Sequence, residues 1–215
     1  MNFSKILNLV LAVTMLVLII KFSPSTNTSK DTATQEETMS TREAVLSTIQ
    51  NRKSVRHFTD KKISKEDMTA VLKAGMAAPT GFDARPWKFI VIRDTAMMKK
   101  MRKGLVYARG LDQSTAAIVV CGDMTKVHKS DPEFWITDTS AATENILLAL
   151  ESMGLGGVWS TVYPSEKRMA FVSNLLGLPE SILPLNVIPV GYPAGIQKAK
   201  DKFDPTNIHY EKWSQ

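Results

Sequence analysis

Residues 51–58 read Asn51-Arg52-Lys53-Ser54-Val55-Arg56-His57-Phe58. Three cations and a hydroxyl fall within five consecutive positions, from Arg52 to Arg56, at the end of a predicted helix. An arginine guanidinium presents a planar fork of donors that fits a phosphate group, and lysine and serine add a point charge and a short hydrogen bond. The stretch therefore predicts a site for a phosphate-bearing ligand. On these residues alone, the alternative is a solvated charged surface at a helix end.

Helix-capping signals lie on both sides of this stretch. Ser40-Thr41-Arg42-Glu43 is a capping box and predicts a helix that runs to about Asn51. Ser64-Lys65-Glu66-Asp67 opens a second helix, which ends near Ala78 because a proline follows. The stretch 51–58 therefore leaves the first helix and continues as extended chain.

The rest of the chain alternates between helical and strand-like patterns. The run from Ala116 to Cys121 is apolar throughout, which is typical of a central strand buried on both faces. Pro189 favours an edge or bulged position for the strand that contains it. The predicted strands are Lys88–Arg93, Ala116–Cys121, Val158–Tyr163 and Leu185–Val190, and the remaining helices are Thr95–Lys103, Ile136–Met153 and Ser165–Leu176. Helices with four or five short strands predict an α+β or α/β sandwich.

Composition limits the class of ligand. The chain has 215 residues and a formal charge of +6, which suits one folded domain and an anionic ligand. The basic residues are scattered without interleaved aromatic residues, which disfavours nucleic acid. The single cysteine, Cys121, is predicted to be a buried strand residue, and the three histidines show no metal-ligand spacing, so we expect no metal site.

The amino terminus differs from the rest of the chain. An apolar run from Ile6 to Ile20 would span roughly 22 Å as a helix, which is short of a bilayer core of about 30 Å. Residues 1–22 are therefore predicted to be a secretory signal or a membrane anchor, and if they are not cleaved, residues 6–20 would contact the membrane. The alternative is a buried core helix. Residues 23–39 are predicted to be a flexible tether, and 40–215 the folded domain. We accordingly expect a membrane-associated or exported protein of a bacterial cell envelope, with the side of the membrane open.

Five segments in this order resemble the FMN-dependent nitroreductase family, and the resemblance covers about Thr41 to Trp213. The segments are Arg52–Arg56, Ala78–Thr80 with Arg85–Trp87, Gly154–Trp159, Pro189–Pro193 and the lysine-rich tail. The resemblance implies an α+β fold, a nitroreductase-like sheet with flanking helices. It also implies an intertwined homodimer that binds two FMN molecules at the subunit interface.

The resemblance also implies which residues hold FMN. Arg52, Ser54 and Arg56 match contacts to the flavin's phosphate, ribityl chain and pyrimidine edge, and Lys53 belongs to the same cluster. Lys200 and Lys202 match the late basic pair that completes the phosphate site, with a solvated lysine-rich tail as the alternative.

Two further segments match flavin contacts in the family. Pro79, Thr80 and Gly81 match a loop that the partner subunit lays against the isoalloxazine. In the same motif Asp83 and Arg85 replace the usual Asn and Gln, so an ion pair of Asp83 with Arg85 or with Arg56 is expected there. The segment predicted to pass the flavin's other face and N5 edge contains Gly156, Gly157, Trp159 and Ser160; the alternatives are a plain helix stop for the glycines and a core aromatic for Trp159.

The implied activity is an FMN-dependent NAD(P)H oxidoreductase, an enzyme that reduces nitroaromatics, quinones or similar small-molecule acceptors by a ping-pong mechanism. Because the flavin carries the chemistry, we nominate no catalytic residue. NADH and NADPH are both open as donors, and Arg109 is a candidate contact to flavin or to a nicotinamide phosphate. The alternatives are a flavin-binding scaffold without turnover and a specialised relative of the same fold, dehalogenase-like or flavin-fragmenting.

Overall fold

The computed structural model describes residues 39–213. Local signals explain where its helices begin and end. Ser40 and Glu43 form the predicted reciprocal capping box at the first helix, and Gly177 ends the last one in a left-handed conformation at φ 63°. The helices are α1 (Thr41–Asn51), α2 (Lys65–Met76), α3 (Thr95–Gly104), α4 (Phe134–Ser152) and α5 (Glu166–Leu176); the strands are β1 (Trp87–Ile92), β2 (Ala116–Asp123), β3 (Gly156–Gly157), β4 (Ser160–Thr161) and β5 (Ile182–Gly191).

The strands form one antiparallel sheet in the order β1-β2-β5-β3, and β4 also pairs with β5. All eight residues of β2 are buried, as its apolar run predicts. The β2–β5 ladder places Val119 opposite Val187 and contains one register shift, between Val120 and Cys121. β2 and β5 are thus the centre of the sheet.

The sheet separates two apolar cores. Ile118 and Val120 of β2 pack in the first core with α2 and α4, whereas Ala117 and Val119 pack in the second core with α3 and α5. This alternation follows from the two-residue period of a strand. Helices therefore cover both faces of an antiparallel sheet, and the predicted α+β fold is confirmed.

Two strand predictions need correction. Within the strand predicted from Val158 to Tyr163 only the short β4 is present, and β3 lies just before the predicted range; the two pair with different parts of β5. β5 is not an edge strand, because β2 lies on one side of it and β3 and β4 on the other. Pro189 is tolerated there because β3 and β4 pair with residues 190–191 and 186–187, so the proline has a strand neighbour only on the β2 side.

The prediction of a membrane-associated or exported protein is contradicted. Within residues 39–213 no helix is long and apolar enough to cross a membrane. The apolar run 6–20, on which that prediction was based, lies outside the described residues, as does the predicted tether up to residue 38. The predicted boundaries of these two segments remain predictions.

Candidate functional site

The stretch 52–58 runs along one edge of the sheet. Ser54 forms a parallel bridge with Gly157, and the backbone N–H of Val55 donates to the Gly157 carbonyl at 3.0 Å. Farther on, Phe58 bridges to Pro193, just beyond β5. Backbone hydrogen bonds therefore fix the position of the cationic stretch.

Packing fixes it as well, through Val55 and Gly156. Val55 is fully buried, and a Cβ added to Gly156 would lie 2.6 Å from Val55 Cγ2. Only glycine allows β3 to approach the stretch this closely. Ser54 and Arg56, on either side of Val55, remain exposed.

The structure brings the cationic stretch and the carboxy-terminal tail together around one cavity of about 210 Å³, which we call the basic pocket. Its lining includes every predicted phosphate-site residue of the two segments. The side chains that line it are Arg52, Lys53, Ser54, Arg56, Gln197, Lys198, Lys200 and Lys202. The sequence interpretation missed Lys198, although its two-residue spacing from Lys200 and Lys202 was a usable signal.

Two of these six cations are engaged by carboxylates of α4. Lys53 Nζ lies 2.8 and 3.0 Å from the two carboxylate oxygens of Glu151, and Arg52 Nε lies 3.1 Å from Glu144 Oε1. Among residues 39–213 the other four, Arg56 and the three tail lysines, have no carboxylate at ion-pair distance. The uncompensated positive charge of the pocket therefore comes from Arg56 and the tail.

The loop predicted to contact the isoalloxazine lies elsewhere in the chain. Pro79, Thr80 and Asp83 line a separate cavity of about 400 Å³ together with Arg85 and Trp87. Gly81 lies in the same loop, where a Cβ would come within 2.5 Å of the Phe134 ring. None of these residues lines the basic pocket, so the structure does not bring the two predicted groups together within one chain.

The backbone of this loop is strained, and an exposed ion pair spans it. Phe82, Asp83 and Arg85 have φ values of 54°, 52° and 48°, a region that costs a non-glycine residue about 1–2 kcal/mol. Arg85 donates through Nε and Nη2 to the two carboxylate oxygens of Asp83, at 2.6 and 2.7 Å. Of the two ion-pair partners expected for Asp83, Arg85 and Arg56, the structure shows Arg85. Strain that surrounding contacts maintain is typical of binding loops.

A buried carboxylate anchors the same loop. Asp138 of α4 is 5% exposed, and its Oδ1 accepts the Gly81 N–H at 3.1 Å. Its Oδ2 has no hydrogen-bond partner in the described part of the chain. Burial raises the pKa of this carboxyl, and the hydrogen bond from Gly81 opposes that rise only in part.

The segment after α4 is divided between core and surface. A Cβ on Gly157 would lie 2.9 Å from Leu150 Cδ1, so core packing alone accounts for glycine there, and Trp159 packs half-buried against the first core. Ser160 lines a third cavity, with Tyr107 and Arg168, and not the basic pocket.

Comparison with known proteins identifies the family. The profile of the nitroreductase family matches residues 49–106 and 102–192. The chain belongs to the nitroreductase family. An Archaeoglobus fulgidus protein named "Putative NADH dehydrogenase/NAD(P)H nitroreductase" is 45% identical over 174 residues, which are 80% of this chain and 99% of the relative.

Two further comparisons agree on the family. A crystal structure of the same name from Bacteroides thetaiotaomicron is 48% identical, with a TM-score of 0.75, and the match covers 79% of this chain and 98% of that one. A Bacillus subtilis protein named "FMN reductase (NADPH)" is 24% identical over 182 residues, 77% of this chain and 72% of the relative. The predicted family and fold are thereby confirmed, and this relative's name agrees with the predicted FMN and nicotinamide cofactors. The roles of individual site residues stay predictions.

Proposed function

We propose that this nitroreductase-family oxidoreductase binds FMN with its phosphate in the basic pocket, takes electrons from NADH or NADPH, and reduces a small-molecule acceptor. One observation carries the proposal: the cationic stretch and the tail lysines, about 140 residues apart in sequence, line a single pocket beside β3. Neither segment alone would distinguish a phosphate site from a solvated surface.

The residues of the pocket fit an FMN phosphate. A phosphate dianion needs several N–H or O–H donors and positive charge, and the lining supplies six cations, a hydroxyl and an amide without any carboxylate. Glu144 and Glu151, which do not line the pocket, form ion pairs with Arg52 and Lys53 and so restrict where these two cationic groups lie. In this proposal Ser54, Arg56, Lys200 and Lys202 bind the phosphate and ribityl side of the cofactor, and Lys53 acts mainly as a structural cation.

When bound, FMN supplies the two-electron chemistry between the nicotinamide donor and the acceptor. The chain's own residues bind the cofactor and orient it. Arg56 places positive charge beside the cofactor, which favours an anionic reduced form, and the backbone at Gly157, which bridges to Ser54, borders the proposed ring site. No side chain is required as nucleophile or general base. Donor and acceptor then use one site in turn, which is the basis for proposing ping-pong kinetics with nitroaromatics or quinones.

We further propose that the active species is a homodimer. Helix α1 has no buried residue within the described chain, and its apolar side chains Val45, Leu46 and Ile49 each leave about half of their surface exposed. Phe203 and Trp213 of the tail are largely exposed too. An amphipathic helix with an uncovered apolar face is favoured as an interface. A second chain would also supply the loop 79–83, which lies apart from the basic pocket here.

The test is an absorbance spectrum of the purified protein before and after anaerobic addition of NADH and then NADPH. A flavin spectrum that bleaches is the expected result. Arg56→Met should weaken FMN retention, whereas Lys100→Met, which removes an exposed cation of α3, should not. Protein that cannot be reconstituted with FMN would overturn the proposal. Bound flavin that neither donor reduces would instead favour the scaffold alternative.

The dimer is tested separately by light scattering during size-exclusion chromatography. Val45→Glu and Ile49→Glu should shift the mass from two chains toward one. Glu66→Gln, an exposed change on α2, serves as the control. A wild-type protein of single-chain mass that nonetheless binds FMN would contradict the intertwined dimer.

A further inference from the structure

A cavity of about 290 Å³ lies between the end of α3 and the start of α5. It is separate from the basic pocket, with which it shares no lining residue. The residues that matter for its chemistry are Tyr107, Ser160, Thr161, Ser165, Lys167 and Arg168. We call it the α3–α5 cavity.

One side of this cavity is cationic and rich in hydroxyl groups. Arg168 donates from Nε to the Val162 carbonyl at 3.2 Å, which fixes the guanidinium, and its Nη atoms have no protein partner among residues 39–213. Lys167 has no ion pair there either. A fixed guanidinium beside an ammonium and hydroxyls is the donor set that a phosphate monoester requires. Glu166, next in sequence, is exposed and does not line the cavity.

The other side is apolar and uncovered. Tyr107 is 83% exposed and Val106 58% exposed, although both line the cavity. The exposed tyrosine ring offers a flat face on which a planar group of a ligand can stack. The combined chemistry suits a ligand that joins a phosphate group to a planar ring, as a phosphorylated nucleoside does.

The position of the cavity relates it to the proposed flavin site. Ser160 of β4 lies three residues after Gly157, whose carbonyl accepts the Val55 N–H next to Ser54. A ligand that starts against the segment 157–160 can therefore reach the cavity along the same edge of the chain. A donor with its adenosine end in the cavity would pass this segment to bring its nicotinamide to the flavin.

We propose that the α3–α5 cavity binds the adenosine end of the nicotinamide donor, and that Lys167 and Arg168 recognise a 2′-phosphate there, so that NADPH is the preferred donor. This rests on the proposed function, since it assumes a nicotinamide donor. NADPH differs from NADH only in that phosphate, and an arginine is a common partner for it. Arg109, the candidate named from the sequence, does not line the cavity.

The direct test is titration calorimetry of the FMN-loaded protein with adenosine 2′,5′-bisphosphate and with adenosine 5′-monophosphate. The basic pocket is then filled by FMN, so binding reports a second site. The bisphosphate should bind more tightly, and Lys167→Gln should weaken it about tenfold, the loss expected for one charge-assisted contact. Lys103→Gln, an exposed lysine of α3 outside the cavity lining, should leave binding unchanged.

The kinetic test is the ratio of kcat/KM for NADPH to that for NADH. Lys167→Gln should lower this ratio about tenfold by acting on NADPH alone. Equal binding of the two adenosine phosphates, or a Lys167→Gln ratio equal to wild type, would overturn the proposal. So would bisphosphate binding that is lost in Lys200→Gln but not in Lys167→Gln, because this assigns it to the basic pocket. If neither donor reduces bound flavin, the proposed function fails, while calorimetry still decides whether the cavity binds the phosphate.

Discussion

Replacing Gly156 by alanine should push the cationic stretch away from the sheet. The added Cβ would lie 2.6, 2.7 and 2.8 Å from Val55 Cγ2, Cβ and Cγ1, distances that real side chains do not adopt. Val55 is fully buried and its N–H is bonded to Gly157, so it has little room to move. We expect Gly156→Ala to lower the free energy of unfolding by about 1–3 kcal/mol, the usual cost of overpacking a core.

Substitutions of Val55 make this prediction specific. Val55→Ala removes two methyl groups and should itself cost about 2–3 kcal/mol from lost burial and the cavity left behind. Val55→Ala removes the two γ carbons that the new Cβ at position 156 would meet, but the Cβ of residue 55 still lies 2.7 Å from it. Val55→Gly removes all three close contacts. Each double variant should therefore be less destabilised than the sum of its two single variants. The difference should be larger for the double variant with Val55→Gly, at about 1–2 kcal/mol.

Urea denaturation of the wild type, the three single variants and the two double variants measures these couplings. FMN titration of the same proteins supplies a functional readout. Because Ser54 and Arg56 flank Val55, Gly156→Ala should weaken FMN binding about tenfold, which corresponds to one lost charge-assisted contact. Additivity within about 0.5 kcal/mol for both pairs would refute the packing argument. Unchanged FMN affinity in a destabilised Gly156→Ala protein would refute the link from packing to the site.

Three other predictions concern single side chains. Asp138→Asn should stabilise the protein at neutral pH, because burial raises the pKa of Asp138 and its charge therefore opposes folding; the advantage should shrink as the pH falls toward the ordinary aspartate pKa of 3.8, which urea denaturation across pH would show. Cys121 should resist thiol reagents in the native protein and react only after unfolding, because burial raises the pKa of its thiol to about 12; rapid native labelling would contradict this. Asp83→Asn should change stability by less than about 1 kcal/mol, because its ion pair with Arg85 is exposed, so a larger loss in thermal denaturation would show that the pair holds the loop.

The sequence predicted well those features that depend on local signals. Ser40 and Glu43 define the first helix end because a capping box needs only four adjacent residues. The apolar run from Ala116 to Cys121 identified the central strand because burial on both faces leaves no polar position. Prediction failed between Val158 and Tyr163, where only Ser160 and Thr161 form a strand, since pairing with the distant β5 determines where β3 and β4 begin and end.

The site shows the same division between local and distant information. The cationic stretch was recognisable because its charges are adjacent, and the tail lysines because they are clustered. The ion pair of Lys53 with Glu151 joins residues 98 positions apart, so sequence patterns gave no reason to treat Lys53 differently from Arg56. The α3–α5 cavity was missed for the same reason, because Tyr107 and Lys167 come from segments that only the fold brings together.

The distribution of charge around the basic pocket is the main physical argument for the proposed phosphate site. Glu144 and Glu151 neutralise the two cations nearest to α4, and no carboxylate of the described chain does so for Arg56, Lys198, Lys200 or Lys202. Like charges in one cavity repel each other, by about 1 kcal/mol per pair at 4 Å even in water. The hydrogen bond from Ala194 N–H to the His57 carbonyl fixes the start of the tail beside the stretch, while the three tail lysines remain exposed to water. If FMN binds as proposed, its phosphate group would offset the repulsion among these cations, and loss of FMN would leave that repulsion to the solvent alone.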